Sequence, residues 1–209
     1  FVSDDHHIRV INIDPSNPAE EILSDDPEWD NVAVSKDGSL LAAISTFADD
    51  NTIFVLDLAS GRSNTFTLYN PTTSHDNTNA GGVLYADALE FDHTGEYLIY
   101  DAVNSISSTY EEDIYYWDIG FIKVWDKTAN DFGDGRITKL FTSLPENVSI
   151  GNPVFSKNSP DVIAFDYEYD DGYDLEYRLY AANLKTGELS MLLDNSTWGY
   201  PSFSKNDDK

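Results

Sequence analysis

The chain has 209 residues, of which 41% are apolar and 13% aromatic, enough to build a packed core. It carries 38 Asp and Glu against 12 Lys and Arg, a formal net charge of −26, and it has no cysteine. Such a surface repels phosphate backbones and anionic lipid, so nucleic acid is not expected as a partner. The absence of cysteine excludes disulfides, thiolate metal sites and cysteine nucleophiles. No apolar stretch approaches the length of a membrane span, so none is expected.

One short pattern recurs along the chain: an apolar anchor, a Ser or Asp, a polar turn and then a β-rich run. The anchors of its four copies are Val34, Phe91, Phe155 and Phe203. Each of the first three copies predicts a hairpin in which the polar turn reverses two apolar strands. The fourth copy starts at Pro201 and shows one strand without its hairpin partner.

Two further strands are predicted after each hairpin. The third strands are expected within 53–58, 122–128 and 178–184, and the shorter fourth strands within 64–68, 137–141 and 189–193. Near the N-terminus, 8–14 and 20–23 match this outer pair without a preceding hairpin. No helical periodicity of useful length competes with the strand pattern. The repeating unit is therefore four antiparallel strands.

Four-stranded units recurring at this spacing are typical of propeller blades, because a lone blade cannot bury both faces of its sheet. We therefore predict an all-β fold, a β-propeller of four-stranded antiparallel blades, as a single region over 1–209. The predicted parts are a partial blade at 1–27, full blades at 28–70, 86–145 and 150–195, and the first strand of a further or closing blade at 200–209. Two readings stay open: a partial propeller cut from a longer one, or a four-bladed ring closed by shared strands. The open edge left by the last strand favours the partial propeller.

Several of these segments resemble the WD40-like repeat family of the TolB type, also called PD40. The matching segments are Pro153-Val154-Phe155-Ser156, Ile163-Ala164-Phe165 and Lys185-Thr186-Gly187. The turn departs from the family pattern, which has Pro where this chain has Lys36, His93, Lys157 and Lys205. The resemblance implies a propeller fold and an extracytoplasmic setting, whether periplasmic, cell-surface or secreted. The resemblance implies very little about function, because one fold can host many functions.

Strand direction predicts which end of the propeller is elaborated. Connections between second and third strands, and those between blades, must lie at one end, here called the loop face. The opposite end carries the hairpin turns and is called the tight-turn face. Extra residues fall on the loop face, at 70–85, 104–113 and 166–174, and binding residues concentrate on such loops over a rigid scaffold. The candidate partner-binding residues are His75, Asp76, Tyr110, Glu111, Glu112, Tyr169 and Tyr173.

Clustered carboxylates at 166–174 raise the possibility of calcium, which takes six to eight oxygen ligands in a flexible cage. The candidate ligands are Asp166, Glu168, Asp170, Asp171 and Asp174. The stretch departs from an EF-hand loop, since Asp171 stands where glycine is needed. The alternative reading is that these acids solvate an exposed loop. Calcium is the one cofactor that the sequence brings into consideration.

No catalytic set emerges from the sequence. A nucleophile elbow and a Gly-rich phosphate loop are absent, and the histidines do not stand in a spacing that pairs them with a Ser and an Asp. The Tyr-rich stretches at 110–117 and 167–177 are expected to pack blades together, with a ligand platform as the alternative. We therefore expect a chain that is not itself an enzyme.

The sequence thus favours a non-catalytic scaffold that binds a protein, a peptide or another ligand through its acidic loop face, and its charge is compatible with a basic partner. An alternative is the accessory propeller of a larger enzyme, such as a prolyl-oligopeptidase-like peptidase, with the catalytic domain outside this chain. A propeller enzyme acting on acidic polysaccharide is disfavoured, because the negative chain would repel that substrate. The oligomeric state is left open.

Overall fold

The computed structural model describes residues 1–71, 82–106 and 113–205, and within these residues the regular elements are all strands. In chain order they are β1 (Ile8–Asn12), β2 (Ala19–Ser24), β3 (Trp29–Val34), β4 (Leu40–Ser45), β5 (Thr52–Asp57), β6 (Ser63–Thr67), β7 (Val83–Phe91), β8 (Tyr97–Ile106), β9 (Ile114–Lys123), β10 (Trp125–Asp126), β11 (Asp131–Phe132), β12 (Ile137–Lys139), β13 (Val148–Phe155), β14 (Val162–Asp170), β15 (Leu175–Asn183) and β16 (Leu189–Asn195). The described part of the chain contains no helix long and apolar enough to cross a membrane.

The strands form three four-stranded antiparallel sheets, which we call blades I to III. Blade I has the order β3-β4-β5-β6, blade II the order β7-β8-β9-β12, and blade III the order β13-β14-β15-β16. A separate pair, β1-β2, packs on blade I through Ile8, which lies in one apolar cluster with Leu41 and Ala43. The predicted all-β class of four-stranded antiparallel blades is confirmed.

The first two strands of each blade follow the repeated sequence pattern but extend beyond it. β7 begins at Val83 and β13 at Val148, ahead of the predicted blade starts at 86 and 150. The hairpin turns are fixed by local hydrogen bonds. In blade I the Asp37 carboxylate accepts from both the backbone and the hydroxyl of Ser39, at 3.0 and 2.7 Å. The hydroxyls of Ser39 and Ser35 lower the pKa of Asp37 to about 2, so this turn is locked while the carboxylate is ionised.

The third strand of blade II differs from its prediction at 122–128. β9 ends at Lys123, and the chain leaves the sheet to form the small β10-β11 hairpin before β12. Gly133 permits this excursion, because an added Cβ there would lie 2.5 Å from the Lys123 carbonyl oxygen. Trp125 then packs edge-on against Phe132, with ring centroids 5.3 Å apart.

Blade II is buried on both faces, and the two-residue period of β8 shows why. Leu98 and Tyr100 belong to the apolar cluster shared with blade I. Ile99, between them, belongs to the cluster that contains Ile150 and Phe165 of blade III. Successive side chains of a strand point to opposite faces, so a continuous apolar run is what a sheet between two neighbours requires.

The inner strands of the blades surround a common axis. β3 contacts β7, and β7 contacts β13. They border an axial cavity of about 520 Å³, lined by 31–34, 87–90 and 152–154 together with Tyr200 and Pro201. Residues 200–201 thus stand at the place of a fourth inner strand, although 201–205 are not paired as a strand. A further blade formed by 200–209 stays a prediction, and 206–209 lie outside the described residues.

Candidate functional site at the loop face

The inner strands are irregular at corresponding places near the loop face. Their pairing registers shift between Trp29 and Asn31, between Ala86 and Leu89, and between Gly151 and Val154. Such bulges re-aim backbone and side-chain groups and are frequent beside binding sites. The bulges of β7 and β13, together with the segment at 199–200, turn backbone N–H groups towards two buried aspartates.

The first of these aspartates is Asp101, in the second strand of blade II, with a side chain that is almost fully buried. Its Oδ1 accepts from the N–H of Ala88 at 2.7 Å, and its Oδ2 accepts from the N–H of Asn152 at 2.6 Å. Burial raises the pKa of Asp101 to about 7, while these two N–H groups act in the opposite direction. Asp101 therefore joins the inner strands of blades II and III.

Asp166 has the corresponding position in blade III and is equally buried. Its Oδ1 accepts from the N–H of Gly199 at 2.9 Å, and its Oδ2 from the N–H of Tyr200 at 2.8 Å. The Asn152 side-chain amide also donates to Oδ2, at 3.0 Å. The segment at 199–200 is therefore held to blade III in the way that β13 is held to blade II.

A third carboxylate, Asp87, lies on the wall between the axial cavity and a smaller pocket. Burial raises the pKa of Asp87, and the nearby Asp30 carboxylate raises it further. In the described part of the chain no hydrogen bond or ion pair reaches the Asp87 carboxylate. This half-buried charge is thus left facing the two cavities.

The smaller pocket, which we call the interblade pocket, has a volume of about 90 Å³. It is lined by Asp87, Asp101, Trp117, Gly151, Asn152, Trp198 and Tyr200. Trp117 packs edge-on against Tyr85 at 5.8 Å, and Trp198 packs against Tyr177 at 6.2 Å. The pocket therefore combines carboxylates with two aromatic walls that are themselves supported by neighbouring rings.

The opposite end of the axis carries Lys36, His93 and Lys157, and Lys157 is paired there with the Glu90 carboxylate at 3.0 Å. Lys36 Nζ of blade I donates to the Lys157 carbonyl of blade III at 3.2 Å and lies 3.3 Å from His93 Nδ1 of blade II. The other His93 nitrogen lies 2.7 Å from the Ser156 carbonyl oxygen. The turns that have Lys or His in place of proline thus bind the blades to one another at the tight-turn face.

The structure does not assemble the predicted calcium site. Within residues 1–71, 82–106 and 113–205, no group of three or more His, Asp and Glu side chains is placed to hold a metal ion. Asp166 points inward to the backbone of 199–200, because side chains alternate along β14. Asp170 and Asp171 instead accept backbone N–H groups of their own turn, and Glu168 accepts from the Tyr177 hydroxyl. The Asp174 carboxylate accepts no hydrogen bond from the described residues of this segment.

The predicted partner-binding residues have different outcomes. Tyr169 is partly buried against the core between blades II and III, and its hydroxyl donates to Asp171 at 3.1 Å. Tyr173 is 97% exposed at the tip of the β14-β15 turn. The other five predicted residues, His75, Asp76, Tyr110, Glu111 and Glu112, lie outside the described residues.

The sequence interpretation did not include the interblade pocket. The sequence does contain a sign of the two buried aspartates. The second strands of blades II and III each place an aspartate directly after an apolar run, at Tyr100-Asp101 and Phe165-Asp166. A charge in that position must find donors, since a buried carboxylate without partners is strongly disfavoured. No comparable sequence pattern marks Trp117 or Trp198 as a residue of the pocket.

No protein-family model and no curated protein matches this sequence. Among solved structures, the chain is similar to TolB from Acinetobacter baumannii, with a TM-score of 0.58 and 16% identity over 95% of this chain and 43% of that one. It is also similar to a chain of the nidogen–laminin complex, with a TM-score of 0.52 and 10% identity over 92% of this chain and 60% of that one. The chain thus spans less than two thirds of either structure. Together with the stacked four-stranded blades, these likenesses identify the fold as a β-propeller, of which the described residues form three full blades.

Proposed function

We propose that this chain is a non-catalytic β-propeller module that binds a basic protein or peptide at its loop face, in an extracytoplasmic setting. The observation that carries the proposal is the Asp87 carboxylate, half-buried at the axial cavity and without a cationic partner in the described part of the chain. The formal charge of −26 adds a long-range field that attracts cationic partners.

Charge asymmetry along the axis favours approach from the loop face. Asp30 and Asp87 are close enough for each charge to oppose the other at that end. At the tight-turn end, Lys36 spans from blade I to blade III and places an ammonium group over the axis. A cationic ligand is therefore attracted to one end of the cavity and repelled from the other.

Rigidity supports a binding role as well. Asp101 and Asp166 fix Asn152 and Tyr200 of successive inner segments through backbone hydrogen bonds. A partner then meets a preformed surface and loses less free energy to ordering the site. A non-catalytic role fits the contacts of His6 and His93, whose rings meet the carbonyl oxygens of Trp29 and Ser156 rather than a hydroxyl nucleophile.

The proposal is tested with an array of random peptides sorted by net charge and probed with the purified chain. We expect the bound peptides to be enriched in Lys and Arg, with binding that weakens as salt is raised. Asp30→Asn at the loop face is expected to weaken binding of the selected peptides. The matched control is Asp161→Asn, which removes the same charge from an exposed turn on the tight-turn face.

Two results would contradict the proposal. One is binding that does not depend on peptide charge. The other is an equal effect of the Asp30 and Asp161 variants, since a site at the loop face requires the first to be larger. The alternative of an accessory propeller in a larger enzyme stays a prediction, and the complete gene sequence tests it through the presence of a hydrolase nucleophile elbow.

A further inference from the structure

We infer that the interblade pocket binds the guanidinium group of an arginine side chain, with Asp87 as the charged acceptor and Trp117 and Trp198 as its aromatic walls. This inference rests on the proposed function and names the group by which a basic partner is anchored. It follows from the charge, the shape and the ligand count of the pocket.

Asp87 differs from those buried carboxylates of the chain that have a cationic partner. Asp118 is paired with Lys139, whose Nζ lies 2.5 Å from its Oδ2, and Asp57 lies 3.7 Å from an Arg62 nitrogen. Asp87 has no such cation among the described residues, although it lies beside the buried Asp101. Two carboxylates sharing a poorly solvated region are destabilising unless a cation joins them. A bound guanidinium supplies that cation.

The two tryptophan side chains give the interblade pocket flat aromatic walls. The indole of Trp198 covers Gly151 so closely that a Cβ there would lie 3.2 Å from the ring. Trp117 lines the same pocket, which at about 90 Å³ has room for roughly three water molecules. A guanidinium is planar, weakly hydrated and suited to stacking on indole while it donates to a carboxylate. An ammonium is compact and more strongly hydrated, so it gains less from these walls.

The ligand count argues against a metal ion. Both oxygens of Asp101 already accept backbone N–H groups. The Asn152 side-chain amide is held by Asp166. Asp87 is the one pocket carboxylate without a hydrogen-bond donor among the described residues, whereas calcium requires six to eight oxygen ligands. An organic cation needs one carboxylate and flat walls, and the pocket has both.

The test uses the four tryptophans of the chain as internal reporters. The probe is N-acetyl-arginine amide, titrated into the nitrogen-15-labelled chain while the indole N–H signals are followed by NMR. We expect the signals of Trp117 and Trp198 to shift and saturate. Trp29 packs against Phe54 in blade I, and Trp125 packs against Phe132. Their signals are expected to stay in place, and single Trp→Phe variants assign all four.

Matched probes separate charge from shape. N-acetyl-citrulline amide has nearly the same outline without the charge, and it is expected to leave all four signals unchanged. N-acetyl-lysine amide is expected to bind more weakly than the arginine probe. Asp87→Asn is expected to weaken arginine binding by about tenfold or more, and Asp161→Asn to leave it unchanged.

Four results would overturn the inference: no shift of Trp117 and Trp198, equal shifts with the citrulline probe, equal shifts of all four indoles, or lysine or calcium chloride acting more strongly than arginine. The citrulline comparison uses the unmodified chain, so it decides the matter even if Asp87→Asn fails to fold. If basic peptides are still selected at the loop face while the arginine probe fails, the anchor is wrong and the proposed function stands. If the array shows no preference for basic peptides, the proposed function is the part that fails.

Discussion

Asn152 and Tyr200 have the same backbone conformation and the same hydrogen bond in successive inner segments. Their φ angles are 51° and 49°, both in the left-handed region. The N–H of Asn152 donates to Asp101 at 2.6 Å, and the N–H of Tyr200 donates to Asp166 at 2.8 Å. Left-handed φ is unfavourable for residues other than glycine, so the surrounding hydrogen bonds must stabilise it. The repeated joint between blades is therefore an aspartate in one blade and the N–H of a left-handed residue in the next segment.

Asp166→Ala is expected to lower the free energy of unfolding by about 3 kcal/mol, because it leaves the N–H groups of Gly199 and Tyr200 without their acceptor. Urea unfolding measures the change. Asp161→Ala, on an exposed turn, is the control and is expected to stay within about 0.5 kcal/mol of the unmodified chain. Equal stabilities of the two variants would show that Asp166 does not hold the 199–200 segment.

Asp101 predicts a specific pH dependence of stability. Its pKa is about 7 in the folded chain, against about 3.9 when unfolded. The folded state therefore binds the proton more tightly, so this group makes stability fall as the pH rises from about 4 to about 7, by on the order of 4 kcal/mol in total, with no further change above that. Urea unfolding across this range measures it.

The Asp101→Asn variant isolates this contribution from the rest of the carboxylates. It is expected to flatten the pH dependence between about 4 and 7 while lowering stability at all pH values, since an amide has one accepting oxygen and places an NH2 donor against the other backbone N–H. A variant that keeps the full slope would assign the pH dependence to other groups.

Removing one partner of the buried ion pair between Lys139 and Asp118 is expected to lower the free energy of unfolding far more than replacing both partners with apolar residues. Burial lowers the pKa of Lys139 and raises the pKa of Asp118. Lys139→Met should therefore lower the free energy of unfolding by about 3–5 kcal/mol, because it leaves Asp118 buried without a cation. Adding Asp118→Leu to that variant is expected to restore most of the loss in urea unfolding. If the double variant is as unstable as the single one, packing rather than charge is responsible.

Gly151→Ala tests the close approach of blade III to Trp198. The added Cβ would lie 2.9 Å from Asp101 Oδ2 and 3.2 Å from the Trp198 ring. The 2.9 Å contact forces the Asp101 carboxylate or the blade III backbone to shift, and the Trp198 ring with it, with an expected loss of about 1–3 kcal/mol. Urea unfolding measures the loss, and the Trp198 indole signal reports the movement. Gly82→Ala is the control, because among the described residues no atom beyond its chain neighbours lies within 4 Å of its added Cβ. A stable variant with an unmoved indole would contradict the packing at this joint.

The hairpins and their order could be predicted because their signals are local. Val34 and Phe91 each precede a polar turn that ends in a glycine of positive φ, Gly38 or Gly95. Turn residues and a two-residue period act over a few residues, so they can be recognised in the sequence without the tertiary structure. The same rules failed at 124–128, where the chain leaves the sheet after Lys123 and forms the small β10-β11 hairpin.

The candidate site could not be predicted in the same way, because its residues come from distant parts of the chain. The carboxylates at 166–174 form one cluster in the sequence, but β14 sends Asp166 inward and leaves Asp170 and Asp171 in an exposed turn. Asp87, Trp117 and Trp198 are far apart in sequence and line one pocket.

The amino-acid sequence by itself determined four-stranded units, their order and a strongly negative surface, since strand periodicity, turn residues and charge are properties of short segments. The tertiary structure alone decided which carboxylates are buried, which lack a cation and where aromatic rings meet them. The physical reason is that burial and pairing depend on how one blade lies against the next, and no local pattern fixes that relationship.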